Sequence, residues 1–310
     1  MIGIDVGGAN VKVAYGDRAD TIYCPLWQEA PLHDILSRYD TGEGDGVAVV
    51  MSGELADCFL NKMEGIRWIV DTVKEVFPGA VFYGTDGKFH DSPVPALAAA
   101  NWLASAAYLN TLYPDGILVD MGSTTTDIIP LTNPPSLHGL TDLARLQKGY
   151  LLYTGLLRTT LPAILRSVCL DNIPTPVGAE YFAASADAHL VLGHINLTDY
   201  TCDTPDGKGK DRESCLRRLA RVVCSDLEEI GEVGAMQVAG EFWRVQGAMI
   251  REAVSDAQKR SGARTILTAG IGAGLLAPYL GALDLSRELG PVADALPAFA
   301  VMEVFKRSRG

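Results

Sequence analysis

"MIGIDVGGANVKVAYGD", residues 1–17, runs from an apolar stretch into an Asp and two glycines and then returns as a second apolar stretch from Val11. Two short strands around a Gly-Gly-Ala-Asn turn predict a β-hairpin whose tip is bare backbone. Such a tip either turns tightly or lets a ligand approach closely. The pattern returns at 116–131, "GILVDMGSTTTDIIPL": an apolar run, Asp, one apolar residue, Gly, small polar residues and an outgoing strand. Internal duplication of one α/β unit is the expectation, and it puts the two Asp-x-Gly turns on facing walls of a cleft.

Working outward, Thr21–Cys24 reads as a third strand and residues 46–51, an uninterrupted apolar run, as a strand buried on both faces. Residues 55–76 predict a helix, Ala80–Tyr83 a strand and Pro95–Leu109 a helix of small residues. Beyond the second hairpin the pattern predicts helices at 180–192, 211–229 and 235–260, an exposed loop at 198–210, and a strand at 265–268 entering a glycine-rich turn. A last helix, about 294–307, is expected to fold back on the first unit. The predicted division is 1–114 joined by 292–310, and 115–291 with a helical insertion.

With 310 residues, 48% of them hydrophobic, the chain has material for more than one core, and its net charge of −12 argues against general nucleic-acid binding. No basic leader followed by an apolar core opens the sequence, and no long uncharged apolar stretch follows. A cytoplasmic protein with no membrane partner is expected, compatible with a homo-oligomer without requiring one. The six cysteines lack CxxC spacing and read as free thiols, and His189, His194, Cys202 and Cys215 fit no compact zinc set.

An Asp at a strand end followed by glycines offers a carboxylate to a divalent cation, while the turn's N–H groups face phosphate oxygens. Asp5, Asp120 and Asp127 are therefore candidate metal ligands. Gly7, Gly8, Asn10 and Lys12 on one hairpin, and Gly122, Ser123, Thr124 and Thr125 on the other, are candidate phosphate contacts. Gly270, Gly272 and Gly274 form a third turn, from strand to helix, where a helix N-terminus can face an anion. Ser52 reads as a helix cap with Glu54 in the first turn, the alternative being a catalytic Glu. Lys88 either closes a turn or reaches a phosphate. Glu180 and Asp187, seven apart on the predicted helix, share a face that is either solvated or turned to the cleft as a proton acceptor. Arg212, Arg217, Arg218 and Arg221 make a basic stripe of the usual solvated kind.

The order of the three turns resembles the acetate/sugar kinase, heat-shock chaperone and actin superfamily. That likeness implies an α/β protein of two ribonuclease-H-like domains around a central cleft. At closer range "IGIDVGGANVK", "MSGELADCF", "VDMGSTTTDIIP", "YTGLLRT" and "RRLARVVCSD" resemble hydantoinase/oxoprolinase-related proteins of tetrahydromethanopterin-linked one-carbon metabolism. This resemblance implies a Mg²⁺-dependent transferase of methanofuran or methylofuran biosynthesis. Its reaction would join an aminomethylfuran-methyl diphosphate to the phenol oxygen of a γ-glutamyltyramine-like or tyrosine-derived acceptor, with release of diphosphate. It further implies catalytic roles for Asp5 and Asp127, proton acceptance by Asp187 or Glu180, substrate contact at Lys148 and Arg158, and capture of a γ-glutamyl carboxylate by Arg217 or Arg218. The same fold also admits an ATP-dependent small-molecule kinase, a hydantoinase/oxoprolinase-type ATPase, or a nucleotide-gated binding protein without chemistry.

Overall fold

The computed structural model describes residues 1–28, 31–39 and 46–309. Strands β1 (Ile2–Val6), β2 (Asn10–Tyr15) and β3 (Arg18–Tyr23) form an antiparallel meander. After the short helix α1 (Leu32–Leu36), β4 (Val47–Met51) pairs parallel to β1, and its VAVVM sequence is buried throughout, as a central parallel strand requires. Helix α2 (Lys62–Val76) crosses over to β5 (Val81–Tyr83), parallel to β4, and β6 (Phe89–His90) closes that edge. Along α2, Ile66, Ile69, Val70 and Val73 recur at helical spacing and are buried, each contributing about 1.5–3 kcal/mol. Helix α3 (Asn101–Asn110) leads into the second unit.

There the order repeats. β7 (Gly116–Met121) and β8 (Thr126–Pro130) pair antiparallel, and helix α4 (Asp142–Lys148) leads to β9 (Leu151–Leu152) on the outer side of β8. A hairpin of β10 (Ser167–Leu170) and β11 (Ile173–Pro176) and helices α5 (Ser185–Val191), α6 (Arg212–Arg221) and α7 (Leu227–Ser261) are inserted next. β12 (Thr265–Ala269) then pairs parallel to β7, and α8 (Ala273–Leu280) and β13 (Leu283–Asp284) complete the sheet. Each sheet thus places its own strands in the order third, second, first, fourth, fifth, with the same directions. Duplication inferred from two hairpins is duplication of topology.

After α9 (Leu285–Leu289), α10 (Leu296–Arg309) returns to the first unit and lies on α3, β1 and β4. Gly3 makes room for it, since a Cβ there would stand 2.0 Å from the Ala298 carbonyl oxygen. Ala48 and Val50 of β4, Leu118 of β7, Ile129 of β8, and α3 and α10 residues including Leu103 and Val301 share one buried cluster, so the two sheets are joined through helices rather than edge to edge.

Several element boundaries differ from the sequence reading. The helix expected from residue 55 starts at Lys62, because Asn61 caps it by accepting from the Glu64 N–H at 3.1 Å; Ser52 caps nothing. The helix expected over 95–109 is broken at Ala99, whose φ of +47° is left-handed. The 180–192 helix is only Ser185–Val191, so Glu180 is not on it, and Cys224 (φ +58°) and Gly231 (φ +67°) interrupt the later helices. Gly310, the end of the expected 292–310 segment, lies outside the described residues.

Candidate active site

The first hairpin closes with Gly7 N–H donating to Asn10 O at 3.0 Å, and its tip is tied down by Cys24 N–H to Ala9 O and Leu26 N–H to Gly8 O, each 2.9 Å. From the end of β4, the Ser52 and Gly53 N–H groups both donate to Val6 O at 3.0 Å. The second hairpin closes in the same way, Gly122 N–H to Thr125 O at 2.9 Å, and rests on the segment 154–158, whose Leu156 N–H reaches Gly122 O at 2.9 Å. Gly155 is obligatory there, since a Cβ would lie 2.6 Å from the Ser123 and Thr124 backbone. Buried Gln246 of α7 holds that segment by donating to Thr154 Oγ1 and Gly155 O, each 2.9 Å. The third turn sits on the end of β7: Gly272 N–H donates to Met121 O at 3.0 Å, and Gly270 (φ +75°) comes so near that a Cβ would stand 2.3 Å from Asp120 Oδ1.

Asp5 and Asp120 hold equivalent positions at the ends of β1 and β7. Across the ladder Asp5 faces Lys12, and Asp120 faces Asp127, so the duplicated pattern sets a cation opposite one Asp and an anion opposite the other. Asp5 is buried and its Oδ1 has no hydrogen-bond partner among the described residues. Burial pushes its carboxyl up to about 6 against the pull of Lys12. Asp120 is likewise pushed up to about 6, by burial first and then by the negative charge of Asp127, while Lys12 pulls it down and Asp5 and Asp294 push it up. Lys12 and Asp5 of the first unit thus both act on the charge of Asp120 in the second.

Asp127 is otherwise engaged. Its Oδ1 accepts from Arg145 Nη2, Arg145 Nη1 donates to Asp142 Oδ1 at 2.9 Å, and the guanidinium lies 4.5 Å from the Trp102 ring centre. Burial raises the Asp127 carboxyl while Arg145 opposes the rise. Asp127 is thus engaged by a guanidinium, which competes with the metal role expected of it. Among the described residues, no three His, Cys, Asp or Glu side chains form a metal cage. Asp5 and Asp120 remain, a donor set that suits Mg²⁺ completed by phosphate oxygens and water rather than by protein alone.

Other expectations are not met. Asp187 is wholly buried: Arg218 Nε and Nη2 lie 2.8 Å from its Oδ1, Tyr200 OH donates to the same oxygen at 3.1 Å, and Oδ2 accepts from the Ala184 N–H at the start of α5. It is a structural anion, and Arg218, equally buried and bonded also to Asp206 at 3.0 Å, is not free for a substrate tail. Arg217 is exposed and pairs with Glu213 and Glu228, and Arg212 pairs with Glu232. Exposed Glu180 accepts only the neighbouring Tyr181 N–H. Lys148 lines a surface cavity with Glu252, Asp256 and Arg260 of α7, and none of the hairpin glycines lines it. Lys88 closes a turn in which Gly84 N–H donates to its carbonyl at 2.9 Å. Arg158 is different: its N–H donates to Ser123 O at 2.9 Å, and its guanidinium reaches to 5.7 Å from the ring of Trp27 in the first unit. Gly8 and Gly274 would meet nothing within 4 Å if given a Cβ, so folding alone does not demand glycine at either.

Sequence reasoning missed Arg145, Trp102 and Trp27, and left Glu54 as either a first-turn helix residue or a catalytic Glu. Arg145 lies in a helix of seven residues too short to give a periodic signal, and the two Trp are ordinary apolar residues in sequence.

Two sheets of one repeated topology, each with an Asp-bearing glycine hairpin at the end of its first strand, make this an α/β protein of two like-wound units. The chain belongs to the hydantoinase/oxoprolinase family, which its residues 45–301 match. It is 38% identical, over 323 aligned residues covering 99% of this chain and 98% of the relative, to (4-{4-[2-(γ-L-glutamylamino)ethyl]phenoxymethyl}furan-2-yl)methanamine synthase of Methanocaldococcus jannaschii. A protein of the same name from Methanococcus vannielii is 38% identical over 200 residues, 61% of this chain and 90% of that one. Among solved structures, a ROK family glucokinase from Streptomyces griseus, crystallised with glucose and AMPPNP, is similar at a TM-score of 0.48 and 11% identity, covering 98% of each chain.

Proposed function

We propose that this chain forms an aryl furfuryl ether, joining an aminomethylfuran-methyl diphosphate to the phenol oxygen of a γ-glutamyltyramine-like acceptor and releasing diphosphate. The observation that carries the reading is the 38% identity to the Methanocaldococcus jannaschii synthase over 99% of this chain, both hairpins included. The product in that relative's name contains a phenoxymethylfuran, so the bond made is between a phenol oxygen and a furan methylene.

The cleft suits such a leaving group. Diphosphate is a compact polyanion, and the glycine hairpins offer it N–H-bearing turns, with Lys12 opposite Asp5 on the first. Asp5 and Asp120 would hold Mg²⁺ beside it. When bound, that ion would neutralise charge on the departing diphosphate. Lys12 adds a fixed cation at the same place. The furan methylene carries cation character as the carbon–oxygen bond to diphosphate lengthens, which relaxes the demand on the phenol as nucleophile. No nucleotide takes part.

Incubation of the purified protein with the furan diphosphate, γ-glutamyltyramine and Mg²⁺ tests this, following ether and diphosphate by mass spectrometry with and without ATP. Equal amounts of ether and diphosphate without nucleotide are expected. Product that appears only with ATP, together with ADP, overturns the reading in favour of a kinase or ATPase.

A further inference from the structure

Ether formation leaves the phenol proton without a destination. A phenol has an ordinary pKa of about 10, so little of it is ionised at neutral pH and a base is needed as the bond forms. Asp187 is enclosed by Arg218 and Tyr200, Glu180 lies on the surface, and Asp127 is held by Arg145. Asp5 and Asp120 are committed to the diphosphate end of the cleft.

We infer that Glu54 accepts the phenol proton, an inference that rests on the transferase reading above. Glu54 follows β4 directly. The preceding Gly53 is packed so tightly on the phosphate hairpin that a Cβ there would stand 2.8 Å from Gly7 O. The Glu54 side chain is 1% exposed, and its Oε2 has no hydrogen-bond partner among the described residues. Leaving a carboxylate oxygen buried and unpaired costs about 1–3 kcal/mol, a cost that a hydroxyl donor from a substrate would remove. Two charged groups face it. Lys62 Nζ of α2 is 3.9 Å from Oε1, and Asp142 at the start of α4 brings negative charge from the second unit. The Ala99 N–H, on the backbone that breaks before α3 at a φ of +47°, favours its charged form. A left-handed alanine is a conformation that proteins keep mostly where function requires it.

Together these features set a buried carboxylate with a free oxygen directly after Gly53, which packs on the Gly7 hairpin. Burial, the largest influence, holds this carboxyl up at about 6, near the value that suits a general base at neutral pH. In the step, the phenol O–H proton passes to Glu54, and the oxygen's electron pair forms the bond to the furan methylene. The methylene–diphosphate bond breaks with its electron pair leaving on diphosphate. Glu54 then returns its proton to water.

The test compares wild type, Glu54→Gln and Glu54→Asp on two acceptors: γ-glutamyltyramine and a ring-fluorinated analogue whose phenol is already ionised at neutral pH. Glu54→Gln is expected to lose about 10²- to 10⁴-fold in kcat on the ordinary phenol and only a few-fold on the acidic one. Glu54→Asp is expected to retain part of the rate. Calorimetric titration with inorganic diphosphate and Mg²⁺ should give the same affinity for Glu54→Gln as for wild type. A Gln variant as active as wild type, equally impaired on both phenols, or unable to bind diphosphate or fold, overturns the inference while leaving the transferase reading standing. A wild type that makes no ether from either acceptor overturns both.

Discussion

At the scale of single residues, two kinds of buried carboxylate in this chain look alike in sequence and differ in their partners. Asp187 is satisfied on both oxygens, by Arg218 and Tyr200 on one and by the Ala184 N–H on the other. Asp187→Ala takes the carboxylate from Nε and Nη2 of buried Arg218 and leaves it only the Asp206 side of its pairing, so a loss of about 3–5 kcal/mol is expected, read as a large fall in Tm. Catalysis per folded molecule should survive, and a kcat lost without any fall in Tm would return Asp187 to a chemical role. Asp5 is the opposite case, with an oxygen lacking a partner and a carboxyl pushed up to about 6 by burial. An acid whose folded pKa is raised favours folding fully below its unfolded pKa of about 3.9, and that contribution is lost as pH rises through the folded value. In metal-free buffer Asp5→Asn is therefore expected to be more stable than wild type at pH 7.5, on the order of 2 kcal/mol, with the gain gone near pH 4. The same variant should lose more than about 10²-fold in turnover. Chemical denaturation at the two pH values and steady-state kinetics check both halves.

The glycine turns are the elements on which the proposed chemistry depends, and their glycines serve different ends. Gly270 has a φ of +75° and presses on Asp120, so Gly270→Ala strains the backbone and displaces that carboxylate. A destabilisation of about 1–3 kcal/mol accompanied by loss of activity is expected. Gly8 has open space where its Cβ would be. Gly8→Ala should leave stability within about 0.5 kcal/mol of wild type but weaken binding of Mg²⁺-diphosphate, as thermal unfolding and calorimetry would show. A Gly8→Ala protein with unchanged affinity would mean that the first hairpin turns tightly without approaching a ligand.

For the whole molecule, the cleft carboxylates come from two separately wound sheets that α3 and α10 join through one core cluster. A ligand held by both Asp5 and Asp120 binds only the folded, assembled pair, so Mg²⁺-diphosphate at 100 times its Kd is expected to add about 2.7 kcal/mol to stability. EDTA should abolish that increment, and either Asp→Asn variant should lack most of it. An equal increment in Asp120→Asn would place the ligand on the first unit alone. Among the described residues no helix is long and apolar enough to cross a membrane.

What the sequence determined by itself is the repeated unit and the positions of its turns. Strand alternation, an uninterrupted apolar β4 and the paired Asp-x-Gly patterns are local, and local periodicity is written directly in residue order. That was enough to put Asp5, Asp120 and Lys12 on hairpins with glycine turns. Tertiary structure decided which carboxylates are free. Asp187 met Arg218 because α5 and α6 pack together across 31 residues of chain, a contact with no trace in the spacing of either helix. Asp127 lost its freedom to Arg145, and Lys148, on the same short helix as Arg145, came to line a cavity with α7 instead. Glu54 read as either a first-turn helix residue or a catalytic Glu; the helix starts later, capped by Asn61, and Glu54 lies buried ahead of it. Burial and pairing depend on which faces meet, and that is set by chain segments far apart in sequence, whereas a turn is set by the residues that make it.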